Sequence, residues 1–281
     1  MSNGMVINTN ISSINTQRQL TKSNQLLTTT MERLSSGLRV NSAKDDAAGL
    51  AIANRMNSQI RGLTVAVRNA NDGTSMAQNA ESAMGVLTET LQRMRDLSIQ
   101  AANTGAVSSS DRQKLNEEFK QLNEELGRIV VNTEFNGKKI LNGSLASGAN
   151  FQVGANTSSD NQIEIKIANL GSTLSGVAGA SIGSMASPSG VLSAIDLIDE
   201  AISGIDTSRS ILGAIQNRFT TTIANIHSSI ENQSAAKSRI MDTDFAAETA
   251  SLSRGQILQQ AGTAMLAQAN QRPQNVLSLL Q

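Results

Sequence analysis

The chain has 281 residues, with 23 basic and 23 acidic side chains and no net charge, a balance that argues against nucleic-acid binding and against an acidic solvating tail. It contains no Cys, which excludes disulfides, thiolate catalysis and thiolate metal sites. Aromatic residues make up 2%, all of them Phe, a composition that suits slender helix-on-helix packing better than a thick globular core.

The first periodic segment covers residues 6–38. Val6, Ile7, Ile11 and Ile14 are followed by Leu20, Leu27, Met31, Leu34 and Leu38, and from Leu27 onward the spacing puts one apolar stripe along a helix. Ser35-Ser36-Gly37 reads as its stop, because Gly accepts the left-handed cap conformation. Ser42 or Asp45 can cap the next helix. That helix is long. Ile60, Leu63, Val67, Ala70, Ala77, Ala80, Met84, Leu87, Leu91, Met94 and Ala101 hold close to a heptad seam, with Thr74 in the gap. Gly62, Gly73 and Gly85 each cost roughly 1 kcal/mol relative to Ala inside a helix, so their presence predicts close packing or support from neighbours.

Residues 104–110 form a loop, and Ser110 or Asp111 caps a third helix with the stripe Leu115, Phe119, Leu122, Leu126 and Ile129. Asn136-Gly137 and Asn142-Gly143 are turn dipeptides. Residues 143–190 are rich in Gly, Ser and Asn. Phe151 and Val153, then Ile163, Ile165 and Ile167, alternate with polar neighbours and predict a small hairpin; the rest of this segment holds too little apolar content for a core of its own. Helical spacing resumes at Val191, Ile195, Ile198, Ile202 and Ile205 and continues through Leu212, Ile215, Phe219, Ile223, Ile226 and Ile230. A last helix follows Asp242-Thr243-Asp244, whose carboxylates read as caps. Its stripe is Leu252, Ile257, Ala261, Ala264 or Met265, and Ala269, with a break or bend expected at Pro273.

The expected fold is mainly α: a long antiparallel helical hairpin or coiled-coil rod with a small β-hairpin and paired N- and C-terminal helices. Catalytic and cofactor signals are weak. His227 is the sole His and lies in a regular helical run, neither GxxxxGK[ST] nor GxGxxG occurs, and the methionines at 31, 84, 94 and 265 read as core or seam fillers. No enzyme activity, cofactor or metal is expected. No stretch of about twenty apolar residues predicts a membrane span, and the first thirty residues hold no cleavable secretory leader.

Longer motifs stand at both ends. Ile7-Asn8-Thr9-Asn10, the run Met31 to Arg39 (MERLSSGLR) and the run Asn41 to Leu50 (NSAKDDAAGL) resemble the amino-terminal signature of bacterial flagellin. Ser253 to Gly262 (SRGQILQQAG), Ala267-Gln268-Ala269-Asn270-Gln271 and Pro273-Gln274-Asn275-Val276-Leu277 resemble its carboxyl-terminal one. The resemblance implies a structural subunit that self-assembles into the flagellar filament; a hook–filament junction or adaptor protein is the alternative. It divides the chain into an inner-core helix at 1–44, rod helices at 45–142, a short variable tip at 143–190, a rod helix at 191–238 and a second inner-core helix at 239–281. The inner-core assembly positions it implies are Ile7, Ile11, Ile14, Leu27, Met31, Leu34, Leu38, Leu252, Ile257, Ala261, Met265, Val276 and Leu277. Partners implied are other copies of the chain, a secretion chaperone, cap and junction proteins, and an animal innate immune receptor meeting Arg93, Leu97 and Glu118. The location implied is the extracellular filament, reached through the flagellar type III apparatus. In two places the chain departs from the family pattern. Flagellins start near Met5, so residues 1–4 read as a tag remnant, and Arg272 stands where a small or apolar residue is usual.

Overall fold

A computed structural model describes residues 9–183 and 186–271, together with the backbone of residues 272–277. The chain is mainly helical and divides into two compact units, one of Met1–Ser58 with Asn232–Gln281 and one of Gln59–Glu231.

In the first unit, helix α1 (Ile11–Ser36) starts where the Asn10 side chain accepts from the Ser13 N–H at 3.1 Å. It ends at Gly37, whose φ of 71° is the expected left-handed cap and whose N–H donates to the Arg33 carbonyl at 2.8 Å. Helix α2 (Ala47–Ala102) is capped by Asp46, not by Ser42 or Asp45. Asp46 directly precedes the first helical residue, so its carboxylate reaches the Gly49 N–H at 2.8 Å. Asp45 instead turns back to accept from the N–H groups of Asn41 and Ser42 and from the Ser42 hydroxyl, bracing the α1–α2 loop.

The second unit is built on α2, α3 (Ser109–Asn132) and α6 (Pro188–Met241). Ser108, not Ser110 or Asp111, caps α3: its hydroxyl accepts from the Asp111 N–H at 3.2 Å because the helix begins two residues earlier than a cap at Ser110 would start it. α6 runs antiparallel to α2. Gly73 meets Phe219, Glu81 accepts from Gln216 at 2.7 Å and Asp199 pairs with Arg95 at 2.7 Å. The predicted α2 seam is buried from Ala70 to Ala101; nearer its start Ala66 takes the buried position and Leu63 and Val67 flank it. Along α6, Val191, Ile198, Ile205, Leu212, Phe219 and Ile226 are buried as the spacing predicts.

Two antiparallel hairpins sit in this unit. β1 (Glu134–Phe135) and β2 (Lys138–Lys139) are joined by Asn136 and Gly137, both at positive φ (49° and 75°), the conformation a tight two-residue turn requires. β3 (Ala149–Gln152) pairs with β4 (Gln162–Ile165) in the register Phe151 to Ile163. Two short helices follow, α4 (Leu170–Thr173) and α5 (Ser175–Ala178).

The middle segment builds no core of its own and joins that of the helices. Leu145, Val153, Ile163, Ile165, Ile167, Leu170, Leu174, Val177 and Ile182 are all buried in one cluster with the α2, α3 and α6 side chains. A segment too poor in apolar residues for its own core does not need one when three helices already supply it. Polar straps hold it there: the buried Asn116 Oδ1 accepts from the Ile182 N–H at 3.0 Å and from the Ser181 hydroxyl at 3.1 Å, and Asn123 donates to the Ala178 carbonyl at 3.2 Å.

Candidate assembly surface

α7 (Phe245–Leu277) begins at Asp244, whose Oδ1 accepts from the N–H groups of Ala246 and Ala247 at 2.9 and 3.3 Å. That is the capping role expected of it. Asp242 takes another place, in an isolated antiparallel bridge with Leu38. Around this bridge the Arg39 N–H and guanidinium donate to the Met241 and Ile240 carbonyls at 2.6 and 2.7 Å, and Thr243 N–H donates to Gly37. These bonds fasten the end of α1 to the start of α7. The α7 helix runs on through Pro273, so of the break or bend expected there no break occurs.

α1 and α7 pair antiparallel along their length, as the resemblance implies for the chain ends. Gly37 faces the Phe245 ring, Arg33 faces Glu248 at 3.9 Å, Asn24 accepts from Gln259 at 3.0 Å, Ser13 donates to Asn270 at 2.8 Å and Asn10 donates to the Ala269 carbonyl at 2.7 Å. Leu27 lies over Gly255 and Leu20 over Gly262, where a Cβ would come within 3.1 and 3.2 Å of the leucine methyls. The covered positions of α1 are Ser13, Thr16, Leu20, Ser23, Leu27, Thr30 and Leu34, at alternating steps of three and four. Those of α7 are Glu248, Leu252, Gly255, Gln259, Gly262, Leu266 and Ala269. Both rows keep the 3.5-residue period of a coiled-coil seam, built from hydroxyls, glycines and a few leucines.

This seam divides the residues expected for assembly. Leu27, Leu34 and Leu252 lie in it, and Leu38 lies in the bridge. Ile11, Ile14, Met31, Ile257, Ala261 and Met265 do not; they point away from the partner helix and remain exposed, Ile11 at 65%, Met31 at 51%, Ile257 at 66% and Met265 at 62%. Ile7 and the side chains of Val276, Leu277 and Arg272 lie outside the described residues. Leu26 and Leu258 join the exposed set, each a large apolar residue off the 3–4 row that the small residues keep. Phe245 is also 55% exposed, although it continues that row by one step of three and meets Gly37. The same geometry divides the methionines. Met84 and Met94 fill the core, whereas Met31 and Met265 lie off the α1–α7 seam.

Arg93 and Glu118 come together on the surface of the second unit, with the guanidinium Nε and Nη2 at 2.9 and 2.6 Å from Glu118 Oε1. Leu97 is 1% exposed and belongs to the core beneath them. His227 is exposed on α6.

Residues 7–146 match the bacterial flagellin N-terminal helical region and residues 195–280 match the bacterial flagellin C-terminal helical region. The flagellin of Bacillus subtilis (strain 168) is 44% identical over 308 residues, an alignment covering 98% of this chain and 100% of that protein. The chain belongs to the bacterial flagellin family. The flagellin of Halalkalibacterium halodurans is likewise 44% identical, over 276 residues covering 98% of this chain and 100% of its own, and flagellin A of Vibrio cholerae is 38% identical over 377 residues, covering 98% and 99%. The crystal structure of Bacillus cereus flagellin superposes with a TM-score of 0.50 at 27% identity, covering 60% of this chain and 94% of that one. Flagellin is a structural protein family, and this flagellin is a filament subunit that polymerises with copies of itself in the extracellular filament. Among the described residues no helix is long and apolar enough to cross a membrane.

Proposed function

We propose that copies of this flagellin join through the outward apolar side chains of the α1–α7 pair, while the seam of small residues holds the pair together within each copy. The observation that supports this is the inversion of the usual pattern. Small and hydroxyl residues are covered, and Ile11, Ile14, Leu26, Met31, Ile257, Leu258 and Met265 are left in water. Each such side chain is about half exposed, so covering it contributes roughly 1 kcal/mol. Over the set that amounts to several kcal/mol per subunit, set against the freedom lost on association.

In this reading residues 1–44 and 239–281 form the inner part of the filament, residues 45–142 and 191–238 the rod, and residues 143–190 its short outer tip. Export through the type III apparatus, with a chaperone on the carboxyl end and cap and junction proteins at the growing polymer, follows from the family resemblance. A receptor reading the α2–α3 surface would meet the Arg93–Glu118 pair directly, with Leu97 acting from below to hold that surface in shape.

Salt-induced assembly of the purified chain, followed by electron microscopy, tests the reading. Long filaments are expected from the full chain and none from a chain lacking residues 246–281, which keeps a folded second unit. Full-chain protein that stays unpolymerised points to a junction or adaptor role, and normal filaments from the truncated chain would contradict the assigned surface.

A further inference from the structure

The exposed apolar set contains one chemically distinctive pair. Ile, Leu and Phe do not react with peroxide, but a thioether does. Among the described methionines, Met76, Met84 and Met94 are buried in the second unit and Met56 and Met241 are half-buried; only Met31 and Met265 are mostly exposed, and both stand on the outward side of the α1–α7 pair. Met31 is 51% exposed and borders a surface depression whose other lining residues include Thr28, Glu32, Ser35 and Asn41, so its side chain is open to water.

We propose that Met31 and Met265 are oxidation sites for hydrogen peroxide that control entry of the free subunit into the polymer. The inference rests on the assembly surface described above. The thioether sulfur attacks one peroxide oxygen, the O–O bond breaks, the sulfoxide S–O bond forms and, after proton transfer, water leaves. Sulfur is oxidised by two electrons and the peroxide is reduced by two. The product is a polar, chiral group in place of a flexible apolar one. On the outward face of α1 and α7 that change places a strong acceptor where a neighbouring copy offers apolar surface, and covering it without a donor is unfavourable. The same burial shields both sulfurs once a subunit has been incorporated, so oxidation discriminates free subunits from assembled ones. The buried core methionines keep the second unit folded throughout.

Purified unassembled chain is treated with hydrogen peroxide, the peroxide is removed, and sites are mapped by peptide mass before salt-induced assembly is measured by sedimentation. One added oxygen is expected at each of Met31 and Met265, with Met76, Met84 and Met94 unchanged and helix content by circular dichroism retained. The concentration needed for assembly should rise about tenfold. The variant Met31→Leu/Met265→Leu, treated identically, should assemble as the untreated chain does, because Leu keeps the volume and apolar character. Methionine sulfoxide reductases should restore the treated wild-type chain. Assembly at the untreated concentration despite oxidation of both residues would overturn the proposal, as would equal inhibition of the double Leu variant or oxidation of the core methionines first. Untreated chain that fails to polymerise overturns the assembly surface itself and this proposal with it.

Discussion

Gly73 and Gly85 lie on the same helix, and Ala should stabilise the second unit at Gly85 but not at Gly73. Ala exceeds Gly in helix propensity by roughly 1 kcal/mol at an interior position. At Gly85 a new Cβ meets no atom within 4 Å, so that gain is realised and the second unit becomes more stable by about 1 kcal/mol. At Gly73 the Cβ would stand 2.6 Å from Phe219 Cζ and 3.0 Å from Cε1. The Phe219 ring is fully buried and set edge-on to Phe151, with centroids 6.0 Å apart, so it has nowhere inexpensive to move. Overpacking of this kind costs typically 1–3 kcal/mol. The propensity gain offsets part of it, leaving Gly73→Ala between roughly neutral and about 2 kcal/mol less stable. Urea unfolding of unpolymerised chain, followed by circular dichroism, reads both variants against wild type, with an unchanged denaturant slope as the sign that the same transition is being compared. Equal stabilisation by the two replacements would refute the packing argument, since it would mean that Phe219 yields at no cost.

Asn116→Leu removes the acceptor for the Ile182 N–H and the Ser181 hydroxyl while keeping a side chain of similar size at a buried position; it should cost about 1–3 kcal/mol and open the chain near residues 179–183 to limited proteolysis. The Asp45 carboxyl is held below the usual carboxylate range, first by the Ser42 backbone N–H and then by the Ser42 hydroxyl, with the Asn41 N–H adding to them. A depressed carboxyl contributes at neutral pH and loses that contribution as pH falls through its folded value. The amides of Asn41 and Ser42 should therefore be protected from hydrogen exchange at neutral pH and lose protection in acid, and Asp45→Asn should flatten that dependence. A pH profile identical in the two proteins would contradict it.

Periodicity made the long helices legible because in the second unit the residues that bury are the large apolar ones. Val191 to Ile226 on α6, Phe119 and Leu126 on α3 and Ala70 to Ala101 on α2 all follow that rule. The α1–α7 pair does not. There the covered row is Ser13, Thr16, Ser23 and Thr30 with two glycines opposite leucines, so the side chains that carry hydropathy mark the face left over, and a stripe drawn through Leu27, Met31 and Leu34 mixes the two sides. Helix starts were displaced by a residue or two for a related reason: Ser42, Asp45 and Asp46 are all competent caps, and only the position of the first helical amide selects Asp46. In the middle segment the isolated Ile, Leu and Val residues looked too few because the core they complete is contributed by residues far away in the chain.

Polymerisation depends on which face of α1 and α7 joins one copy to the next. The variant Ile14→Asp/Ile257→Asp places charge on two outward positions and touches no residue of the seam. Sedimentation of this variant beside wild type under assembling salt, with circular dichroism on the unassembled protein, measures the consequence directly. Unchanged helix content with loss of filaments is the predicted result. Filaments forming at the wild-type concentration would show that the outward face is not the joining surface.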